Sequence, residues 1–223
     1  MGSWAGWGRR PQYFYQLIIQ RTPASRDQEH IPTLILSDTG MPDRTEAILS
    51  RDTEPVYQRL LSDAKFLESA GCACLAIPCN TSHYFADRLQ KELSIPLLHM
   101  PRLTVEKLAG QGKKRVALLA TTGAVQAGVY RRECEAVGLE LWAPGEDVQE
   151  MVMSLIYDVV KGGAVITGQE FAPIDSAVRA SGCDCAVLGC TELSVYRGIC
   201  ALPEFYTDSL EVLTDQCISF CSN

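Results

Sequence analysis

Short runs of apolar and β-branched residues alternate along the chain with longer stretches in which apolar residues recur every three or four positions. The short runs are typical of strands buried on both faces, and the longer pattern is typical of helices that bury one face. Strands are predicted at HIPTLIL from His30, CLAIP from Cys74, IPLLHM from Ile95, RVALLA from Arg115, LELWAP from Leu139 and CAVLG from Cys185. Helices are predicted over residues 55–70, 82–93, 125–137, 147–161, 169–181 and 209–221. This order predicts an α/β fold with parallel sheets, in which functional sites form at the carboxyl ends of strands.

The sequence contains an internal repeat with an offset of 111 residues, since GCACLAIPCNT from Gly71 aligns with GCDCAVLGCTE from Gly182. The offset is half the chain length of 223 residues, which predicts two similar α/β halves related by an approximate two-fold axis. We expect residues 1–100 and 101–207 to form these halves, with the last helix, 208–223, packing back on the first half. The axis would bring Cys79 and Cys190 to face each other across a cleft.

Two opposed cysteines at the start of helices indicate proton-transfer chemistry. A helix N-terminus stabilises a thiolate and lowers the pKa of a thiol from about 8.5. A thiolate on one face of a carbon acid can remove a proton while a thiol on the other face returns one, which inverts the centre. Polar residues follow both cysteines directly: Asn80, Thr81, Thr191 and Glu192. The pattern therefore predicts two-base racemisation.

The other cysteines have simpler interpretations. Cys-x-Cys pairs alternate along two predicted strands, which favours packing in the core, although together they could also supply four zinc ligands. The pairs are related by the repeat and are not clustered in a knuckle, which favours packing over zinc. These four residues are Cys72, Cys74, Cys183 and Cys185. A structural role is also predicted for the cysteines that lack polar neighbours: Cys134, Cys200, Cys217 and Cys221.

Charge and hydropathy narrow the expected partners. Twenty Lys and Arg residues against 27 Asp and Glu give a net charge of −7, with no block of five like charges, which argues against nucleic acid and a polybasic membrane surface. No apolar stretch approaches the roughly 20 residues that span a bilayer. The first residues lack the apolar segment of a signal peptide, so the ten cysteines are expected to be reduced thiols in the cytoplasm. The expected partners are a small molecule and a second copy of the chain.

From about Tyr13 to the C-terminus, the chain resembles the aspartate racemases of the cofactor-independent aspartate/glutamate racemase superfamily. The cysteine motifs PCNTSH from Pro78 and LGCTEL from Leu188 carry the resemblance first. Further ordered blocks extend it: TPASRDQEHIP from Thr22, MPDRT from Met41, LLHM from Leu97, LLATTG from Leu118 and IYDVVKGG from Ile156. The resemblance implies two Rossmann-like halves, a homodimer, and racemisation of L- and D-aspartate with neither pyridoxal phosphate nor a metal.

Specific residues match the functional positions of this family. Cys79 and Cys190 match its two catalytic thiols, and Arg44 and Lys161 match residues that hold the substrate carboxylates. A dicarboxylate needs fixed cations, and Arg offers a planar bidentate fork. The polar lining of the amino-acid site is matched by Asn80, Thr81, Thr121, Thr122 and Thr191.

Two residues beside the cysteines have open roles. His83 follows Cys79 by four positions and would lie on the same helix face, as a structural hydrogen-bonding group or as a proton carrier. Glu192 would either cap the helix after Cys190 or tune its thiol. The activity also has alternatives: a racemase for glutamate or another carbon acid, such as a hydantoin or a malonate derivative, or an amino-acid-binding remnant without catalysis.

The N-terminus departs from the family pattern, which begins with a strand running into a loop of the form G-G-M-G-P-x-A-T. Here the chain reads MGSWAGWGRRPQ, and we expect the first strand to be missing. A frameshift before Tyr13 explains the difference, because codons that encode MGSWAGWGRRP can also encode G-K-L-G-G-M-G-P-A-A two bases later. Loss of the first strand would expose the edges of its neighbouring strands. Arg9 and Arg10 cannot replace glycines in the loop, because glycine adopts backbone angles that other residues resist. The site is therefore expected to be impaired.

Overall fold

The computed structural model describes residues 2–4 and 9–222. Within these ranges, eight short strands form two four-stranded sheets in the orders β2-β1-β3-β4 and β6-β5-β7-β8. The strands are β1 (Gly2–Trp4), β2 (Leu34–Leu36), β3 (Leu75–Ala76), β4 (Leu97–Leu98), β5 (Arg115–Leu119), β6 (Glu140–Trp142), β7 (Cys185–Leu188) and β8 (Tyr206–Asp208). Every neighbouring pair is parallel, as the alternating pattern predicts.

Helices cover the faces of both sheets. They are α1 (Arg9–Arg21), α2 (Arg44–Ser50), α3 (Glu54–Ser69), α4 (Ala86–Gln90), α5 (Met100–Gly110), α6 (Thr122–Gln126), α7 (Val129–Val137), α8 (Glu146–Ser154), α9 (Ala172–Ala180), α10 (Thr191–Ile199) and α11 (Ser209–Cys221). Short 3-10 helices occupy Asp27–Glu29, Thr81–Phe85 and Gln169–Phe171, and a π-helical segment, Leu155–Lys161, continues α8. The helix predicted over residues 82–93 is therefore a 3-10 turn followed by a short α-helix.

The two sheets repeat one topology. In each sheet the first strand in sequence lies between the second and third, and the fourth lies outside the third. The offset of 111 residues aligns β3 with β7, the strands that lead to Cys79 and Cys190. The two α/β halves predicted from the repeat are thus present as two sheets of equal size and order. Ligand sites in such sheets form where the strand order reverses, beside the first and third strands.

The expectation that the first strand is missing is wrong. Gly2–Trp4 forms β1 at the centre of the first sheet and pairs in parallel with both β2 and β3. The pairing uses backbone groups, so a short extended segment of a different sequence can satisfy both neighbouring strands. Arg9 and Arg10 begin α1. Residues 5–8, where the glycine-rich loop is expected to be replaced, lie outside the described residues.

The C-terminal helix joins the two halves. α11 directly follows β8 of the second sheet, but it packs with α1 beside the first sheet. Leu210, Leu213 and Cys217 share one buried cluster with Phe14 and Ile18. This packing holds the end of the second sheet against the first half, and the exact division at residues 100 and 207 remains a prediction.

Candidate active site

The carboxyl ends of β3, β5 and β7 lead into one cleft. Cys79 follows β3, Thr121 follows β5 and Cys190 follows β7, so both halves contribute to its wall. The full lining is Asp43, Arg44, Thr45, Cys79, Asn80, Thr81, Thr121, Tyr157, Lys161, Cys190, Thr191 and Glu192. The structure thus brings the two cysteines of the repeat into one cleft.

Cys190 lies at the N-terminus of α10, where the repeat predicts it. The preceding Gly189 allows the chain to leave β7 close to β5, since a Cβ atom there would lie 2.8 Å from Leu118 Cδ1. The Cys190 Sγ donates a 2.8 Å hydrogen bond to Oε2 of Glu192, and both side chains are buried. Glu192 therefore touches the thiol directly, so of its two open roles the structure supports the one that acts on Cys190.

Cys79 lies in a tighter turn. Its backbone N–H donates a 2.7 Å hydrogen bond to the carbonyl of Ile77, and the 3-10 helix Thr81–Phe85 follows. The N–H of Met100 donates to Nε2 of His83 at 3.1 Å, so Nδ1 of His83 carries the ring proton and donates to the carbonyl of Cys79 at 2.9 Å. Burial lowers the pKa of His83 to about 3, with a further contribution from His99. A neutral ring with both nitrogens bound to backbone favours the structural role for His83 over proton transfer.

Arg44 is a buried cation at the start of α2. Its side chain is 6% exposed, and its Nη1 donates to the carbonyl of Pro42 at 3.0 Å. Within residues 2–4 and 9–222 it forms no ion pair with a carboxylate. Burial of a charge without an opposite charge is unfavourable, so this position is suited to an anionic ligand.

Lys161 ends the π-helical segment that continues α8. Its Nζ lies 3.6 Å from the centroid of the Tyr157 ring and 4.0 Å from Oε1 of Glu192. Single π turns are frequent at functional sites because they redirect side chains within a helix. Here the segment directs both Tyr157 and Lys161 to the cleft.

Hydrogen bonds connect the two cysteine loops across the halves. Thr191 Oγ1 donates to the carbonyl of Pro78 at 2.8 Å. The Asn80 amide accepts from the Tyr130 hydroxyl at 2.6 Å and donates to Ser209 Oγ at 3.1 Å. Asn80 and Thr191 therefore help to hold the cleft together, in addition to lining it.

Three threonine hydroxyls meet in the wall of the cleft. Thr81 Oγ1 lies 3.3 Å from Thr121 Oγ1, and the Thr45 hydroxyl donates to the same oxygen at 3.5 Å. Thr121 also caps α6 by accepting from the N–H of Ala124. These contacts bring side chains from both halves into one polar wall.

Among the described residues, two predicted site residues do not line the cleft: His83, which lies behind Cys79 with both ring nitrogens bonded to backbone, and Thr122. The Thr122 hydroxyl accepts a 3.4 Å hydrogen bond from Gln149, and Thr122 lines a neighbouring depression beside α8. Sequence reasoning, in contrast, missed Asp43, Thr45 and Tyr157. Their positions in the sequence could have indicated a role in the site, because these residues stand in the same MPDRT and IYDVVKGG blocks as Arg44 and Lys161.

The described residues lack the features of a metal site and of a membrane span. Across residues 2–4 and 9–222, no group of three His, Cys, Asp or Glu side chains is arranged to hold a metal ion. No helix in this part of the chain has the length and apolar character needed to cross a membrane. None of the ten cysteines forms a disulfide bond.

Comparison with known proteins identifies related sequences and structures. Residues 12–212 match the family model described as Asp/Glu/Hydantoin racemase. The broad specificity amino-acid racemase RacX of Bacillus subtilis (strain 168) is 30% identical over 90 residues, 40% of this chain and 39% of RacX. The glutamate racemase of Aquifex pyrophilus is 32% identical over 98 residues, 43% of this chain and 38% of that protein.

The similarity in fold is more extensive. The structure of Picrophilus torridus aspartate racemase aligns with a TM-score of 0.81 at 26% sequence identity, and covers 100% of this chain and 94% of that one. The sequence matches to RacX and the Aquifex enzyme span less than half the length of those relatives.

Proposed function

We propose that this chain, which belongs to the Asp/Glu/hydantoin racemase family, is an amino-acid racemase that interconverts L- and D-aspartate. The observation that carries the proposal is the meeting of two thiols and two cationic side chains in one cleft. Cys79 and Cys190 follow equivalent strands of two similar sheets, and Arg44 and Lys161 line the same cleft.

The two thiols supply the acid and the base. One cysteine, as thiolate, takes the α-proton, and the electron pair of the C–H bond passes into the α-carboxylate. The other cysteine, as thiol, then gives a proton to the opposite face of the carbon. The dipole of α10, which begins beside Cys190, favours negative charge at this end of the cleft. The chemistry calls for neither pyridoxal phosphate nor a metal.

The charged and polar lining supports a substrate with two carboxylates. Arg44 is buried and has no carboxylate partner within the described residues, so a substrate carboxylate would supply the missing charge. Lys161 offers a second cation on the other half. We propose that hydroxyl and amide groups complete the amino-acid site, with Asn80, Thr81, Thr121 and Thr191 in these positions.

Two alternatives have specific support. RacX is a broad specificity amino-acid racemase and the Aquifex relative is a glutamate racemase, which favours glutamate or several amino acids as a second candidate substrate class. The unusual sequence at residues 5–8 favours an amino-acid-binding remnant without catalysis. Both alternatives keep the same cleft and differ in what it does.

The decisive experiment follows hydrogen exchange at the α-carbon in heavy water. The full chain is incubated separately with each enantiomer of aspartate, glutamate and alanine, and loss of the α-proton signal and inversion are both measured. We expect exchange and inversion to be fastest with aspartate. Faster turnover of glutamate would favour the second candidate, and binding without any exchange would favour the remnant.

A matched control separates the cleft thiols from the other cysteines. Cys200→Ser changes a half-buried cysteine outside the cleft. This variant should exchange the α-proton of aspartate at the rate of the unmodified chain. Cys79→Ser together with Cys190→Ser should abolish exchange.

We also propose that the chain forms a homodimer in a reducing compartment such as the cytoplasm. Light scattering would test the oligomeric state, and fractionation of the native source would test the location.

A further inference from the structure

The two cysteine loops differ in charge at equivalent positions. Two residues after Cys79 stands Thr81, whereas two residues after Cys190 stands Glu192. The Thr81 hydroxyl contacts another hydroxyl, that of Thr121, at 3.3 Å. The Glu192 carboxylate is 3% exposed and accepts a 2.8 Å hydrogen bond from the Cys190 Sγ. The repeat is therefore unequal in charge beside the two thiols.

A carboxylate and a thiolate repel strongly at this distance in a buried site. The pair formed by Cys190 and Glu192 must therefore share at least one proton. We expect this proton to reside on the sulfur, because an ordinary thiol has a pKa of about 8.5 and an ordinary glutamate has a pKa of about 4.3. The Nζ of Lys161 places a positive charge 4.0 Å from the other oxygen of Glu192.

We propose that Glu192 holds Cys190 as a thiol in the resting enzyme, so that Cys190 begins the reaction as the acid and Cys79 begins it as the base. Glu192 is a positioning residue in this scheme, since it acts through Cys190. The catalytic consequence rests on the proposed racemase function, whereas the state of the thiol does not.

The order of proton transfers follows from this resting state. The Cys79 thiolate takes the α-proton, and the electron pair of the broken C–H bond passes into the substrate carboxylate. The S–H bond of Cys190 then breaks, its proton bonds to the opposite face of the carbon, and its electron pair remains on sulfur. The product complex holds a thiolate beside the Glu192 carboxylate, and this repulsion favours return of a proton to Cys190. One enantiomer is therefore the substrate of the resting enzyme.

Alkylation by iodoacetamide tests the thiol state without any racemase activity. The reagent is uncharged and reacts with thiolates, so the rate at each cysteine, followed by peptide mass spectrometry, reports its ionised fraction. Cys79 and Cys190 are each 8% exposed, which makes their access to the reagent comparable. At neutral pH we expect Cys79 to react faster, and Cys190 to reach the same rate only at a higher pH.

Glu192→Gln removes the charge and keeps the size of the side chain. We expect it to raise the alkylation rate of Cys190 at neutral pH at least about tenfold, since the repulsion is lost, and to leave Cys79 unchanged. Glu192→Asp keeps the charge, so the alkylation of Cys190 at neutral pH should remain slow. The matched control, Glu106→Gln, removes the same charge from the exposed face of α5 and should change neither rate.

Cys134 reports whether a variant remains folded. It is fully buried, and burial raises its pKa to about 12, so it reacts only if the chain opens. If Glu192→Gln unfolds, the pH dependence of the two cysteines in the unmodified chain decides the matter alone. Equal rates for Cys79 and Cys190 across pH, or an unchanged Cys190 rate in folded Glu192→Gln, would overturn the proposal. A chain that fails to exchange α-protons but shows the expected alkylation would contradict only the racemase function.

Discussion

A Cβ atom on Gly123 would lie 2.8 Å from the Cα atom of Thr45, so α6 of one half and α2 of the other approach each other closely. This contact lies beside the cleft, because Arg44 begins α2 and Thr121 caps α6. The position of the buried guanidinium therefore depends on how closely the two helices approach.

Gly123→Ala should move α2 away from the cleft. Overpacking of this kind costs about 1–3 kcal/mol of stability. Misplacement of Arg44 should lower kcat/KM for aspartate by up to about a hundredfold. The control is Gly145→Ala, where an added Cβ meets no atom within 4 Å, and where activity should be retained. Equal effects of the two substitutions would show that the close approach is unimportant.

Arg44→Lys tests recognition of the second carboxylate. The substitution keeps the charge but removes the bidentate fork, so kcat/KM for aspartate should fall by about tenfold to a hundredfold. The loss for alanine, which has one carboxylate, should be much smaller. Arg26→Lys, at a side chain that is 78% exposed, serves as the matched control. A similar loss for both amino acids would argue against this role for Arg44.

Stability should fall in mild acid because of His83. Burial lowers the pKa of His83 from 6.5 to about 3, so the unfolded chain takes up a proton that the folded chain does not. The stabilising contribution is present above about pH 6.5 and is lost as the pH falls through about 3. Urea unfolding of His83→Gln should show a weaker dependence on pH over this interval. An unchanged dependence would indicate that the pKa of His83 is the same in the folded and the unfolded chain.

Asp208 should have the opposite effect on the pH dependence of stability. Burial raises its pKa from 3.8 to about 6, and its Oδ2 has no hydrogen-bond partner within the described residues. Its stabilising contribution is present below about pH 3.8 and is lost as the pH rises through about 6. Asp208→Asn removes this titration. As the pH rises from acid to neutral, the free energy of unfolding of the variant should therefore increase by about 3 kcal/mol relative to that of the unmodified chain. A difference that is constant across pH would contradict the assignment.

The sequence predicted the parts of the site that depend on repetition. The motifs at Cys79 and Cys190 repeat with their strands, so their convergence follows from two sheets of equal topology. The β1 strand could not be recognised, because Gly2–Trp4 is stabilised by backbone pairing between β2 and β3, which no local pattern reports.

Individual side chains were less predictable than the fold. Burial of Arg44 depends on its environment in the tertiary structure, since the residues beside it in sequence would suit a solvated charge equally well. Thr121 and Thr122 are adjacent hydroxyl residues, and only the cap of α6 decides which one lines the cleft. His83 has a position suited to proton transfer, but its hydrogen bonds from Met100 and to Cys79 use both ring nitrogens.

Single cysteine variants test the two-base mechanism most directly. Cys79→Ser and Cys190→Ser are each incubated with L- and D-aspartate in heavy water, and the α-proton signal is followed. A serine hydroxyl is too weak an acid and base at neutral pH to replace a thiol, so neither variant should racemise. The remaining cysteine can still exchange the proton on its own face when it is a thiolate, so each variant should exchange one enantiomer, and the two variants should exchange opposite ones. Exchange by Cys79→Ser should be the slower of the two, because Glu192 holds Cys190 as a thiol. Exchange of both enantiomers by one single variant would contradict the opposed-thiol mechanism.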